Sequence, residues 1–387
     1  MIPPPSQGKI HLPARIIAFV VNNPTYFVSH RMGIGLRLLA EGHTVLVIAP
    51  GPCPEALVGH GFVYREVSMS RKGKNPLSEL STIYDLYSLF KELKPDVVHL
   101  VTIKPYLYGG IAARLAGVKA VVSAVAGLGI LFSQNSLKSR VLRALLYPLY
   151  RYAFGHPWQM VIFQNRDDKA LLQRFAHLPE EKAVVIRGAG VDLAAYSFLP
   201  EPEGEIIVSL ASRLLKDKGV VEFVEASRIL RQRAVAAVFW LIGTPDPGNA
   251  NTVTQEQLDA WEKEGLVKCL GYRTDIADIF AQSHIVTLPS CYGEGLPKVL
   301  IEAAACGRAV ITTDHPGCRD AIEADETGLL VQIKDSTVLA DAIEHLIINP
   351  EKRKQLGQAG RRLAESVFDV EKVIDEHLKI YDHLLKH

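Results

Sequence analysis

Several familiar protein types are ruled out by what this chain lacks. Across its 387 residues no run reaches the roughly 18 uninterrupted apolar positions of a membrane span; residues 120–132 come nearest and are too short and too rich in glycine. No transmembrane helix is expected. Five cysteines, Cys53, Cys269, Cys291, Cys306 and Cys318, are odd in number and widely scattered, with no C-x-x-C pair. That usage suits a reducing cytoplasm and argues against a zinc site. The turn after the first apolar run has no G-x-G-x-x-G, so a dinucleotide site there is not expected. Residues 1–14 carry proline and polar residues without a charged-then-apolar signal pattern, and read as a loose leader.

What is present is apolar mass and a divided charge. With 48% apolar residues the chain can bury two cores, and its length makes two domains the leading expectation. The formal charge of +1 conceals an asymmetry: residues 1–190 hold 22 Lys and Arg against 11 Asp and Glu, and the remainder 21 against 31, so a half of +11 faces a half of −10. Either the basic half is drawn to an anionic surface such as phospholipid, a lipid diphosphate or nucleic acid, or the two halves attract each other across a cleft.

Apolar runs alternate with helical periodicity through both halves. In the first, strands at 15–23, 44–49, 96–101, 120–124 and 159–163 alternate with helices at 31–40, about 80–93, 109–116 and about 137–154. In the second, strands at 206–211, 236–242, 267–270, 285–288 and 309–312 alternate with helices at about 219–232, 276–282 and from 297, and helices at 350–365 and 370–385 follow. The spacing implies two parallel, doubly wound sheets whose ligands lie beyond the strands' C-terminal ends. Pro200-Glu201-Pro202-Glu203-Gly204 is the expected linker.

The most informative stretch is Leu288 to Ala303. An apolar strand leads through Ser290-Cys291-Tyr292-Gly293-Glu294-Gly295 into a helix with Pro297 expected at its first position. The amides of Leu296, Lys298 and Val299 would point out of a helix start, where the macrodipole favours an anion. Lys298 is ill-placed there unless negative charge neutralises it. Glu294 and Glu302 stand eight positions apart, so one faces what the loop holds and the other reaches it from deeper; alternatively Glu294 caps the helix and Glu302 is solvated. Arg213 and Lys218, after the strand at 206–211, belong to the same sheet edge. A guanidinium and an ammonium beside a helix start suit a diphosphate leaving group. Singly either is an ordinary surface charge; the conjunction with two carboxylates favours a site.

Three segments of the first half draw attention. The turn expected at 22–31 offers Asn22, His30 and Arg31 where an acceptor would approach. Gly127, Leu128 and Gly129 form a turn whose glycines permit close backbone approach. The stretch 136–152 interleaves Lys138, Arg140, Arg143 and Arg151 with Leu and Tyr, which suits a membrane surface or equally a core-facing helix with a solvated basic face. Arg71, Lys72 and Lys74 form a second basic cluster.

The pattern Gly293-Glu294-Gly295-Leu296-Pro297-Lys298-Val299-Leu300-Ile301-Glu302-Ala303, with Arg213 and Lys218 upstream, resembles family 4 of the retaining, GT-B-fold glycosyltransferases. The likeness extends to Thr102-Ile103-Lys104-Pro105, to 109–118, to Gln164-Asn165-Arg166-Asp167-Asp168, to Gly188-Ala189-Gly190-Val191-Asp192 and to Leu270-Gly271-Tyr272-Arg273-Thr274-Asp275. Within the family it looks most like bacterial transferases that extend undecaprenyl-diphosphate-linked sugars for O-antigen, capsule or protein glycans. The resemblance implies that Arg213 and Lys218 bind the donor diphosphate, Glu294 the sugar hydroxyls and Glu302 the ribose. Residues Gly295, Leu296, Pro297, Lys298 and Val299 would cradle the phosphates, and Gly271, Tyr272, Arg273 and Thr274 would lie beside the base. No metal and no cofactor are implied, and no D-x-D stands in a plausible strand-end loop. One departure is Ala126, where many members carry His; Val101 likewise replaces a second histidine.

The resulting expectation is an α/β protein of GT-B type, two Rossmann-like domains facing across a cleft. An acceptor domain would occupy 1–199, with a helix at about 370–387 returning to it, and a nucleotide-sugar domain 200–369. The expected activity is metal-independent, retaining transfer of a hexose or N-acetylhexosamine from a UDP-sugar to a lipid-diphosphate-linked acceptor, at the inner face of the cell membrane and without nucleic acid. A nucleotide-sugar 2-epimerase and a non-catalytic nucleotide-binding scaffold at the membrane surface are the alternatives.

Overall fold

In the computed structural model the described residues are 14–69, 76–129, 132 and 136–386; the Arg71, Lys72 and Lys74 cluster lies outside them. The chain forms two compact units, one of Met1–Ala124, Tyr152–Met160 and Leu378–His387, the other of Val125–Arg151 and Val161–His377.

The first sheet has seven strands, β1 (Ile16–Val21), β2 (Thr44–Ala49), β3 (Val63–Glu66), β4 (Val97–Val101), β5 (Ala120–Val125), β6 (Gln159–Phe163) and β7 (Ala183–Val185), in the order β3-β2-β1-β4-β5-β6-β7. β1 pairs with β2 and β4 in parallel. β4 and β5 bury every residue, the pattern of a parallel sheet covered on both faces. The polar exception on β4, His99, stacks on Phe19 and hydrogen-bonds through Nδ1 to the Tyr381 hydroxyl of the last helix, Val370–Leu385.

The second sheet lies wholly in the second unit. Its strands β8 (Ile207–Ala211), β9 (Val238–Ile242), β10 (Lys268–Gly271), β11 (Ile285–Leu288), β12 (Ala309–Thr313) and β13 (Gly328–Val331) run in the order β10-β9-β8-β11-β12-β13. Successive strand residues feed opposite cores, as the pleat requires. Leu241 joins Phe223, Leu258, Leu339 and Ile343 on one face, while Ile242 joins Phe280, Leu300, Ile301 and Phe368 on the other. Because the order reverses between β8 and β11, the loops leaving these two strands diverge and open a crevice at their C-terminal ends.

The expected alternation of strands and helices is present, and the differences have local causes. Residues 24–30, expected as part of a turn, form a helix, Pro24–His30, which the Asn23 side chain caps by accepting from the Thr25 amide at 3.0 Å, with proline at its start. Pro297 stands at the cap position with ψ 119° and not at the first helical position; the helix is Lys298–Ala305. The short strands β3, β7 and β13, the polar helices Arg166–Ala176 and Gln255–Lys263, and the apolar helix Ser336–Ile348 escaped the sequence pattern. The second of these helices is started by a capping box between Thr254 and Gln257.

The helix Ser336–Ile348 covers the first face of the second sheet through Leu339, Ile343 and Leu346, and its start is held by Asp335, whose Oδ1 accepts from the Thr337 and Val338 amides at 3.0 Å each. Asp335→Ala is expected to cost about 1 kcal/mol, and Asp335→Ser to recover most of it. Urea unfolding read by circular dichroism checks this: the midpoint should fall for alanine with the slope unchanged.

Candidate functional site

The loops leaving β8 and β11 are joined before any side-chain chemistry is considered. The Cys291 amide donates to the Asp217 carbonyl at 2.9 Å, and the Ser290 hydroxyl to the same carbonyl at 3.1 Å. These bonds bring Lys218, the last residue of a short 3-10 turn, against Glu294. The two form a close ion pair with side chains only 13% and 12% exposed. Ser290 Oγ also lies 3.0 Å from the same carboxylate oxygen, so its one proton is shared between Glu294 Oε1 and the Asp217 carbonyl, and the Lys218 ammonium lies 5.4 Å from the centre of the Tyr292 ring. A half-enclosed pair of this kind is stabilising only while both partners remain satisfied.

The second carboxylate is also held. Glu302 is buried and pairs with Lys298 at 3.2 Å, which supplies the neutralising charge that Lys298 needs at a helix start. Tyr196 donates its hydroxyl to Glu302; with burial as the larger cause, this drives the phenol's pKa far up. Neither part of the alternative reading holds: Glu294 makes no cap bond and Glu302 is not solvated. Leu300 N donating to Pro297 O at 3.2 Å is an opening bond of the helix, so the Lys298 and Val299 amides precede its internal bonding. The Leu296 amide, expected beside them, is taken by Gln164 Oε1 at 3.0 Å, and Pro297 has no N–H to offer.

Arg213 is brought to the same strand end but not into the pair. It is 46% exposed and pairs with Asp246 at 3.1 Å. Gly271, in the left-handed region at φ 66°, closes β10 and leaves Tyr272 76% exposed, with Thr274 also exposed and Arg273 paired to Asp275.

The turn with Gly127, Leu128 and Gly129 belongs to the same unit and packs on this loop. At Gly127, φ 96°, an added Cβ would come within 2.6 Å of the Gly293 carbonyl, and one on Gly295 would overlap Gln164 Oε1, so both approaches require glycine. Asn22, His30 and Arg31 belong to the other unit. His30 stacks on Tyr26 at 4.0 Å and meets Ser29 Oγ at 2.7 Å. Arg31 is 2% exposed, and its Nη1 donates to the His30 carbonyl at 3.0 Å.

The helix Leu137–Ala153 buries little besides Ser139, Tyr150 and Ala153, so it is not the core-facing helix offered as an alternative. Lys138, Arg140 and Arg151 are exposed, together with Leu137, Val141, Leu142, Leu145 and Leu149; Arg143 is half-buried. Among the described residues no group of three or more His, Cys, Asp or Glu could hold a metal ion, and no helix is long and apolar enough to cross a membrane. Burial pushes the Cys318 thiol, close to Glu294, up to about 12, which keeps it neutral and poorly nucleophilic.

Gln164 to Asp168, Ser290 and Tyr196 carry no role in the sequence pattern, yet all stand at or near this loop. Asn165 is fully buried and caps Arg166–Ala176 by accepting from the Asp168 amide at 2.7 Å; its Nδ2 donates to Gly295 O at 2.9 Å and to Asp168 Oδ2 at 3.0 Å. The polar cap three residues ahead of an acid was the available signal.

Residues 16–165 match the model of the glycosyl transferase 4-like family, and residues 197–363 that of glycosyl transferases group 1. Among curated relatives the chain is 29% identical over 384 residues, 96% of its length and 99% of the other's, to the N,N'-diacetylbacillosaminyl-diphospho-undecaprenol alpha-1,3-N-acetylgalactosaminyltransferase of Campylobacter jejuni. It is 26% identical, over 69% of its length and 70% of the other's, to the UDP-Gal:alpha-D-GlcNAc-diphosphoundecaprenol alpha-1,3-galactosyltransferase of Escherichia coli. Among solved structures, Anabaena Alr3699/HepE in complex with UDP superposes with a TM-score of 0.77 at 20% identity, covering 95% of this chain and 100% of that one, which establishes the fold as GT-B.

One titration follows from the Asn165 cluster. Burial, with the charges of Asp167 and Asp320, raises the Asp168 carboxyl to about 6 although the Asn165 hydrogen bond opposes the shift. The folded chain thus holds this proton more tightly than the unfolded chain, whose aspartates titrate near 4. The stability it contributes is fully present below about pH 4 and is lost as pH rises through about 6. Asp168→Asn should flatten that fall, read as melting temperatures at a series of pH values; parallel profiles for variant and parent would refute the assignment.

Proposed function

Because the chain belongs to the glycosyltransferases, with a group 1 part following a 4-like part, we propose that it is a retaining, metal-independent enzyme of lipid-linked glycan assembly. It moves a hexose or N-acetylhexosamine from a UDP-sugar to a lipid-diphosphate-linked saccharide. The observation that carries this reading is the Lys218–Glu294 pair at the switch point, on the loop that leads into the helix start at Lys298. The lipid-diphosphate-linked substrates for which the two relatives are named support the acceptor class, and the UDP complex of the Anabaena neighbour supports the nucleotide.

In this reading Lys218, Arg213 and the Lys298 and Val299 amides hold the diphosphate, where charge develops as it leaves. Glu294 accepts the sugar hydroxyls, Glu302 the ribose hydroxyls, and the Gly271 to Thr274 turn lies against the base. The bond from the sugar's anomeric carbon to the phosphate oxygen breaks while the acceptor oxygen bonds to the same face of that carbon. The acceptor's proton passes to the departing phosphate oxygen, so no protein nucleophile is needed. The acceptor saccharide enters beside the Gly127 to Gly129 turn; residues 1–199 serve the acceptor and residues 200–369 carry the donor.

The helix Leu137–Ala153 places the enzyme on an anionic membrane. It has no acidic residue, and an exposed row of leucines lies among its basic side chains, the composition that inserts an apolar face below phosphate headgroups.

Two measurements test this. Glu294→Ala and Arg213→Ala should each lower turnover by about a hundredfold or more, assayed with UDP-sugars and undecaprenyl-diphosphate-linked acceptors and read by product mass; near-parental turnover in both would reject the site. Sedimentation with anionic vesicles should show binding that weakens with salt and is lost on Leu145→Asp with Leu149→Asp.

A further inference from the structure

The peptide that carries Glu294 is held by groups to which the proposed transfer assigns no role. Asn165 Oδ1 accepts the Asp168 N–H at 2.7 Å, and since only an oxygen can accept there, the other arm of the amide must be the donating Nδ2. That arm reaches Gly295 O at 2.9 Å, Asp168 Oδ2 at 3.0 Å and Glu294 O at 3.4 Å. One position further, Gln164 Oε1 takes the Leu296 N–H at 3.0 Å. Three consecutive residues of the loop, 294 to 296, are therefore tied by backbone atoms to the neutral side chains of 164 and 165, which are 5% and 0% exposed.

We propose that Asn165 is the positioning residue for Glu294: its amide, oriented by the helix it caps, holds the loop carbonyls and so fixes where the Glu294 carboxylate meets the donor sugar. The inference rests on the donor-site reading of Glu294. As an N-cap alone, asparagine would be replaceable by aspartate or serine, which are of equal rank there. Only the three oxygens gathered around Nδ2 demand an amide. A carboxylate that must meet hydroxyls at hydrogen-bond distance depends on such support, because a displacement of about 1 Å costs about a hundredfold in rate.

The experiment compares Asn165→Ser and Asn165→Asp with the parent. Three quantities are measured: kcat/KM with a panel of UDP-glucose, UDP-galactose and UDP-N-acetylgalactosamine and an undecaprenyl-diphosphate-linked acceptor, UDP affinity by calorimetry, and the melting temperature. Both variants keep the helix cap. The serine variant should lose about tenfold or more in kcat/KM with UDP affinity unchanged, because UDP without sugar does not touch Glu294; its melting temperature should fall modestly, since the loop carbonyls lose a buried donor. The aspartate variant, though nearer in shape, should lose more, since its charge faces three acceptors. Parental kcat/KM in both variants, as a cap-only role requires, would overturn the proposal, and so would a loss of UDP affinity parallel to the loss of turnover. A parent chain that neither binds UDP nor transfers sugar would overturn the glycosyl-transfer reading itself, a result distinct from either of these.

Discussion

The site depends on the Asp217 carbonyl, which receives both the Cys291 amide and the Ser290 hydroxyl. Without that junction the loops after β8 and β11 would leave their strands in diverging directions, as the reversal of strand order dictates. With it, an ammonium from one loop and a carboxylate from the other close into a pair with little solvent between them. The rest of the second unit serves this junction: two buried cores hold the sheet rigid from either side, and both loops spring from its two central strands.

Two of the buried charges in this unit are answered by an opposite one. Glu302 has Lys298 and Tyr196; Arg353 has both oxygens of Glu201, at 2.6 and 2.9 Å. Removing one member of such a pair costs more than the pair contributes, because the remaining charge stays desolvated. Arg213 is held differently. It is nearly half exposed and paired across a surface with Asp246, so it can change partners at little cost.

The fold was legible wherever burial leaves a long apolar run. β1, β4, β5, β8 and β11 are all interior, and their composition alone marked them. The elements that escaped are three- and four-residue strands, β3, β7 and β13, and helices whose starts are set by caps such as Thr254 and Asp335. The same limit applies at the site. Glu294, Lys218 and Glu302 stand out in sequence because charge beside a glycine turn is conspicuous. Which charge meets which was not legible: Lys298 was left wanting an anion, and Glu302, four positions on, supplies it. Arg31 shows the converse, a basic residue in a stretch that reads as a polar turn, which is 2% exposed where it closes the helix Pro24–His30.

Gln164 and Asn165 were the hardest to read, because neutral amides carry no mark of function in a sequence. Their neutrality is what suits them to the place. Under the proposed transfer, Lys218 would exchange its pairing with Glu294 for the incoming diphosphate. An amide bonded to peptide carbonyls has no such exchange open to it, and its strength does not follow salt or the charge of what is bound. A loop that must present a carboxylate at one fixed point, while the charges around it change partners, is better anchored by dipoles than by ions. The structure has this arrangement: an ion pair at the side chain of Glu294, and amides at the backbone of residues 294 to 296.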